Sequence, residues 1–271
     1  MGRKMKNAPI YYILAQARFN PILSLDQHIP KIQDELRQAG YPDFSKEALA
    51  AIQFNVSSGG ELGQITPTAQ PVVRYQFFNS DRNAGFILEQ NGISFQMTNY
   101  DIFESFLESF LIGVNIIHNS AKLAYSDRIG IRCLDAVCPK VDEKISAYLT
   151  PSVLGLFDQL APRKLAQAIS ETMTKLENTT LVSRVIIINQ ERTGAISFPP
   201  DLQTPLQIGE KFKNVSGVYA IIDTDAWLQE RKKFDTVDIN VVLKEVLAAL
   251  HKEVNSSFKS IATKHAFKVW E

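Results

Sequence analysis

Two separate stretches of the chain repeat one pattern: short alternating strands, one long amphipathic helix, then a strand. The first is Ala84–Leu134, centred on a helix at Ile102–Ile117; the second is Leu181–Trp270, centred on a helix at Val237–Phe258. Phe103, Phe106, Leu107, Phe110, Leu111, Val114 and Ile117 stripe the first helix. Ile239, Val242, Leu243, Val246, Leu250, Val254 and Phe258 stripe the second. Stripes this broad must be buried against a sheet. The echo predicts an α+β protein: two similar antiparallel sheet-plus-long-helix units, a pseudo-duplication, packed as one compact body. The connector from Cys138-Pro139 to Pro162 carries Pro139, Pro151 and Pro162 and sets the expected boundary, with units at 1–138 and 139–271.

Local signals fill in this frame. Ile10–Phe19 reads as a strand ended by Asn20-Pro21, and Ile29–Ala39 as a helix stopped by Gly40. Tyr41–Phe54 is mixed, and Ser57–Gly63 is a loop by composition. Val72–Phe78, Gly85–Gln90 and Gly92–Thr98 predict a meander with Asn91-Gly92 as its tight turn. In the last of these strands Ile93, Phe95 and Met97 alternate with Ser94, Gln96 and Thr98, so one face is buried and the other is wet or contacts a partner. Either Asn99 or Asp101 is placed to cap the helix after it. Ala166–Lys175 and Leu181–Asn189 read as an antiparallel pair, although Leu165–Leu176 also fits a helical face. The β-branched run Val185-Ile186-Ile187-Ile188 predicts a central strand buried on both faces. The tail Ile261–Trp270 is a last strand or a docked extension.

Lys+Arg and Asp+Glu each total 29. That balance lowers the expectation of a dedicated nucleic-acid binder or of a protein held on an anionic membrane. No apolar run approaches the roughly 20 residues of a bilayer span, and Ile10–Ala17 lacks the form of a signal peptide. Cys133 and Cys138 lack the partners of a structural zinc site. A cytoplasmic, reduced protein is expected. Gly59–Gly63 has neither phosphate-loop pattern, and no Gly-x-Ser-x-Gly elbow occurs. No cofactor and no catalytic residue is predicted.

Four polar features remain. Arg128-Ile129-Gly130-Ile131-Arg132 puts Arg128 and Arg132 on one face of a strand, where they can grip a phosphate or carboxylate or else pair with Glu104 and Glu108. Asp223 and Asp225 leave the end of a strand as two carboxylates that can hold Mg²⁺, or simply cap the next segment. His118 and His251 come four residues after Val114 and Leu247, in matching places on the two long helices. They predict a shared groove, or else two half-buried histidines bonded to carbonyls. Trp270 ends a tail that mixes Phe258 and Phe267 with Lys259, Lys264, His265 and Lys268. Such a tail can stack nucleic acid or dock on the body or a protein partner, and docking is the favoured reading. Arg231-Lys232-Lys233, flanked by Glu230 and Asp235, reads as a solvated loop.

Three stretches also resemble a sporadically distributed bacterial family of uncharacterised proteins known mainly by its alignment. They are Pro9-Ile10 to Phe19-Asn20-Pro21; Thr98–Phe103 through Arg128–Arg132, where that family shows an aromatic-capped helix and then an Arg-x-Gly-x-Arg strand; and Ile222–Asp225 with Leu250-His251, Phe258 and Ile261. The family strand continues Tyr-Ile/Val-Asn, whereas this chain reads Cys133-Leu134-Asp135. The resemblance implies a bacterial protein often encoded near mobile elements and assigns no catalytic residues.

Together these readings predict a non-enzymatic binding or interaction protein with a protein partner or a second copy of itself. The resemblance adds a place in a bacterial defence or toxin–antitoxin assembly. Two alternatives stand beside it: a metal-dependent phosphoryl-transfer or nuclease enzyme using Asp223 and Asp225, and a small-ligand or nucleotide sensor with a pocket at His118 and His251.

Overall fold

Apolar residues at period two and period 3.6 lay down the elements in a computed structural model of the protein. The structure describes residues 5–55, 66–157, 159–160, 162–202, 204–234 and 238–271, with backbone alone for 49–55 and 66–72. The Ser57–Gly63 loop, Asp235 and the expected helix start at Val237 lie outside the described residues.

In chain order the elements are β1 (Ile10–Phe19), α1 (Leu25–Gln38), β2 (Asp43–Asn55), β3 (Thr66–Phe78), β4 (Ala84–Glu89), β5 (Gly92–Met97), α2 (Phe103–Ala121) and β6 (Tyr125–Val137). Then come β7 (Gln167–Leu176), β8 (Thr179–Gly194), β9 (Val215–Leu228), β10 (Lys232–Lys233), α3 (Ile239–Ile261) and α4 (Lys264–Trp270). Among the described residues they make an α+β fold with one ten-stranded antiparallel sheet, ordered β2-β3-β4-β5-β1-β6-β9-β8-β7, and β10 pairs the start of β6. β1 and β6 form the central pair, with Ala15 opposite Ile131.

The long helices cover one face. Leu25, Ile29, Ile32 and Leu36 of α1 join Phe106, Phe110 and Val114 of α2 and Leu243, Leu247 and Leu250 of α3. Their core takes Ile13, Ala15 and Ala17 of β1, Ile129, Ile131 and Cys133 of β6, and Ala226 of β9. Gly113 permits this contact: a Cβ there would lie 2.2 Å from the Phe86 ring, so α2 approaches β4 closely only without a side chain. Further along α3, Phe258 and Ile261 pack with Trp270 on Val185, Ile187, Ala220 and Ile222.

On the opposite face, residues 195–202 and 204–212 cover one end of the sheet. Ile196, Leu206 and Phe212 pack on Tyr11, Tyr12, Leu134, Ile186 and Ile221. Val185, Ile186 and Ile187 are therefore buried on the two faces and Ile188 is half-buried, but the strand is not central as expected: β8 stands next to the edge strand β7.

Several expectations need correction. The second echo closes with α4, whose N-cap Thr263 accepts a hydrogen bond from the Ala266 N–H, and not with a strand. The expected antiparallel pair holds, and only the helical alternative for Leu165–Leu176 falls: Gln167–Leu176 is a strand that pairs in unbroken register with β8. The cap position of α2 is Ile102, with no side-chain cap bond. Ser94, Gln96 and Thr98 are buried, because Thr98 Oγ1 donates to the Gln207 carbonyl and Thr204 Oγ1 donates to Gln96 Oε1.

Candidate functional site

Strand register dictates what the uncovered part of the second face presents. Gln96, Leu14, Arg132 and Asp225 form one row across β5, β1, β6 and β9. The next row is Ser94, Gln16, Gly130 and Trp227, and the third is Gly92, Arg18 and Arg128. Alternate residues of the same strands fill the helix-side core, so these side chains point the other way. All of them except Trp227 line a cleft of about 410 Å³. Arg74 and Glu89, paired at 2.6 Å, line one side of it, and Arg132 and Asp201, paired at 2.9 Å, line another.

The Arg-x-Gly-x-Arg strand explains the cleft floor. A Cβ on Gly130 would stand 3.2 Å from Trp227 Cβ, 3.3 Å from the Ala226 carbonyl and 3.7 Å from Arg128 Nη1. With no side chain there, the Arg128 guanidinium folds over Gly130. It donates to Gln16 Oε1 at 2.6 Å and lies 5.0 Å from the Trp227 ring centroid. Among the described residues no carboxylate is within ion-pair distance of Arg128. Burial pulls its pKa below the ordinary value, and the charge of Asp225 opposes that shift.

Arg132 differs. Its Nε and Nη2 donate to Asp223 at 2.8 and 2.7 Å, and its Nη1 and Nη2 donate to Asp201 at 2.9 and 3.2 Å. Arg184 Nη1 donates to Asp223 at 3.0 Å, and Arg184 Nε donates to Glu171 at 2.6 Å. Burial alone would lower the Arg132 pKa, but the bonds to Asp223 and Asp201 hold it above its usual value. Asp223, 2% exposed, is thus enclosed by two guanidiniums. Neither arginine of the motif pairs with Glu104 or Glu108, because Ile129 and Ile131, not the arginines, face the helices.

Asp225 accepts no hydrogen bond among the described residues. Burial pushes its pKa up to about 6, against the lowering effect of Arg128 and Arg132. Gln96 is 1% exposed; its Oε1 accepts from Tyr12 Oη at 2.9 Å and Thr204 Oγ1 at 2.8 Å, while its Nε2 has no partner. A buried amide donor left unpaired is costly. Of the arginines lining the cleft, Arg74 and Arg132 pair with carboxylates, whereas Arg128 and Arg18 have no carboxylate partner among the described residues, and Asp225 is a half-buried carboxyl whose charge acts on Arg128.

No protein-family model matches the chain, and comparison with curated proteins gives no match.

The remaining expected site residues lie elsewhere. His251 stacks on Phe103 with centroids 3.9 Å apart, and burial lowers its pKa to about 4. The His118 ring stands edge-on to Phe234 at 6.5 Å, and its buried Nδ1 has no hydrogen-bond partner. Phe103 and His118 are about 22 Å apart along α2, so the two histidines sit at opposite ends of the α2–α3 contact and share no groove. Trp270, 5% exposed, stacks on Phe258 at 5.6 Å and closes the core under α4, which leaves its ring unavailable to nucleic acid or a partner. Among the described residues no group of three or more His, Cys, Asp or Glu side chains is placed to hold a metal ion. Among those residues no helix is long and apolar enough to cross a membrane.

Sequence reasoning missed Gln16, Arg184, Asp201 and Trp227. For Gln16 a signal existed, since it alternates with Ala15 and Ala17 along β1. Asp201 sits in an irregular segment whose path no periodicity reveals.

Proposed function

We propose that the protein is a binding protein whose cleft over Gly130 holds an acidic side chain of a protein partner. The observation that carries this is the pairing pattern: Arg128 is half-buried, has only the neutral Gln16 as a hydrogen-bond partner and has Arg18 opposite it on β1, with no carboxylate in ion-pair distance among the described residues. A carboxylate suits a guanidinium fork. Metal-assisted phosphoryl transfer is less favoured, because Asp223 gives its oxygens to Arg132 and Arg184, and two cations beside it repel a third. A sensor pocket between the histidines is less favoured because they lie at opposite ends of α2.

The scaffold reading is a duplication. Outward from the centre the strands run β1, β5, β4, β3 in one half and β6, β9, β8, β7 in the other, and α2 and α3 come after β5 and β9. This order supports two halves joined at the β1–β6 pair, with β2 an addition; it differs from the expected units 1–138 and 139–271 in that β6 opens the second half instead of closing the first. Membership of the sporadic bacterial family rests on the resemblance of the three stretches, the Arg128–Arg132 strand foremost, and a place in a defence or toxin–antitoxin assembly rests on that family's patchy distribution.

N-acetylglutamate serves as the probe, with tryptophan fluorescence as the readout, because Trp227 lies under Arg128 and the other tryptophan, Trp270, is buried. We expect a saturable change that weakens at least tenfold in Arg128→Ala. No saturable change, or an equal response in the variant, contradicts the proposal.

A further inference from the structure

β7 ends the sheet order, so its outer edge has no strand beside it among the described residues. It is ten residues long, has no proline, and pairs with β8 without a bulge. Natural edge strands are usually blunted by proline, bulges, a cover or charged side chains, and of these β7 carries only charges, Glu171 and Lys175. Here Ile169 and Met173 stand 60% and 57% exposed on that edge.

The backbone direction is fixed by one bond. The Asn189 N–H donates to the Ala166 carbonyl at 3.1 Å, so the even-numbered residues of β7 exchange hydrogen bonds with β8. Ile169, Glu171, Met173 and Lys175 therefore turn their N–H and C=O groups outward. Their side chains share the face on which Glu171 meets Arg184.

We infer that two copies of this chain pair through β7, antiparallel about a two-fold axis at Met173, and so continue one sheet through both. Self-complementary charge selects this register. It places Glu171 of each copy opposite Lys175 of the other and Met173 opposite Met173, and opposite charges facing each other across strands are stabilising. Sliding the copies until Glu171 faces Glu171 sets like charges together. The surface is isologous, as a closed dimer requires. This inference does not depend on the cleft, which lies across the sheet on other strands.

Sedimentation analysis at micromolar concentration tests it. Glu171→Lys and Lys175→Glu should each abolish the dimer, and an equimolar mixture of the two variants should restore a heterodimer, since its cross-strand charges again match. Met173→Pro should also give a monomer with unchanged melting behaviour, because the Met173 N–H bonds nothing in β8 and edge proline is tolerated. Arg128→Ala should remain dimeric. A monomeric wild type, a dimer that survives Met173→Pro, or a mixture that stays monomeric overturns the inference.

Discussion

The Arg128 guanidinium lies 5.0 Å from the Trp227 ring centroid, and Gly130 leaves the space it crosses. A side chain at 130 would meet Trp227, the Ala226 carbonyl and Arg128 at once. We expect Gly130→Val to destabilise the protein by about 1–3 kcal/mol through overpacking and to shift the fluorescence of Trp227. Arg128→Ala should cost about 1 kcal/mol or less, since the charge it removes has no carboxylate partner. Urea denaturation of both variants checks the contrast.

Asp225 sets the pH dependence of the cleft. Its pKa, raised to about 6 by burial, leaves it a carboxylate at pH 7.5 and largely protonated at pH 5.5. As a carboxylate it repels an incoming acid, and as an acid it does not. Affinity for N-acetylglutamate should therefore rise as pH falls through 6, and in Asp225→Asn it should be tighter at pH 7.5 with little pH dependence between the two values. Fluorescence titrations at both pH values measure this.

Asp223 joins two strands through charge. Removing it leaves the Arg132 and Arg184 guanidiniums without the carboxylate they share, a loss of about 3–5 kcal/mol for a broken buried pair. Asp201, which is exposed, retains Arg132 only in part. We expect Asp223→Ala to lower the urea midpoint strongly, and Glu171→Ala, at the exposed end of the network, to change it little.

Asp135 stands between Ile10 of β1 and Ile222 of β9, where burial pushes its pKa up to about 7, slightly relieved by Lys211. The folded pKa lies above the unfolded value near 4. The folded state therefore holds its proton longer, and stability falls as pH rises from about 4 to 7, by up to about 4 kcal/mol. Asp135→Asn should remove that slope and raise stability at pH 8. Melting temperatures between pH 4.5 and 8 show the difference.

Both long helices and most sheet strands were legible from residue patterns because each buries a stripe at a single period; β2 read as mixed, β10 as a solvated loop, and β7, which buries no stripe, also fitted a helical face. Val185–Ile188 revealed two-sided burial, and Arg128 and Arg132 their shared face. What stayed hidden depended on contacts between distant residues. Asp223 reads as a possible metal ligand until Arg184 arrives from the next strand, and Gln96 and Thr98 read as wet or partner-facing until Thr204 and Gln207 bond to them. His118 and His251 hold matching helical positions, yet α2 and α3 pack so that those positions lie at opposite ends. Trp270 looks like a partner's anchor until α4 folds it onto Phe258.

The most direct measurement is affinity purification of the tagged full chain from its native host, wild type beside Arg128→Ala, with co-eluting proteins identified by mass spectrometry. A partner that elutes with the wild type and disappears with Arg128→Ala, while both proteins melt alike, is the expected result. Wild-type protein that elutes consistently without any other chain, or a partner retained equally by the variant, would contradict a cleft built to hold an acidic side chain.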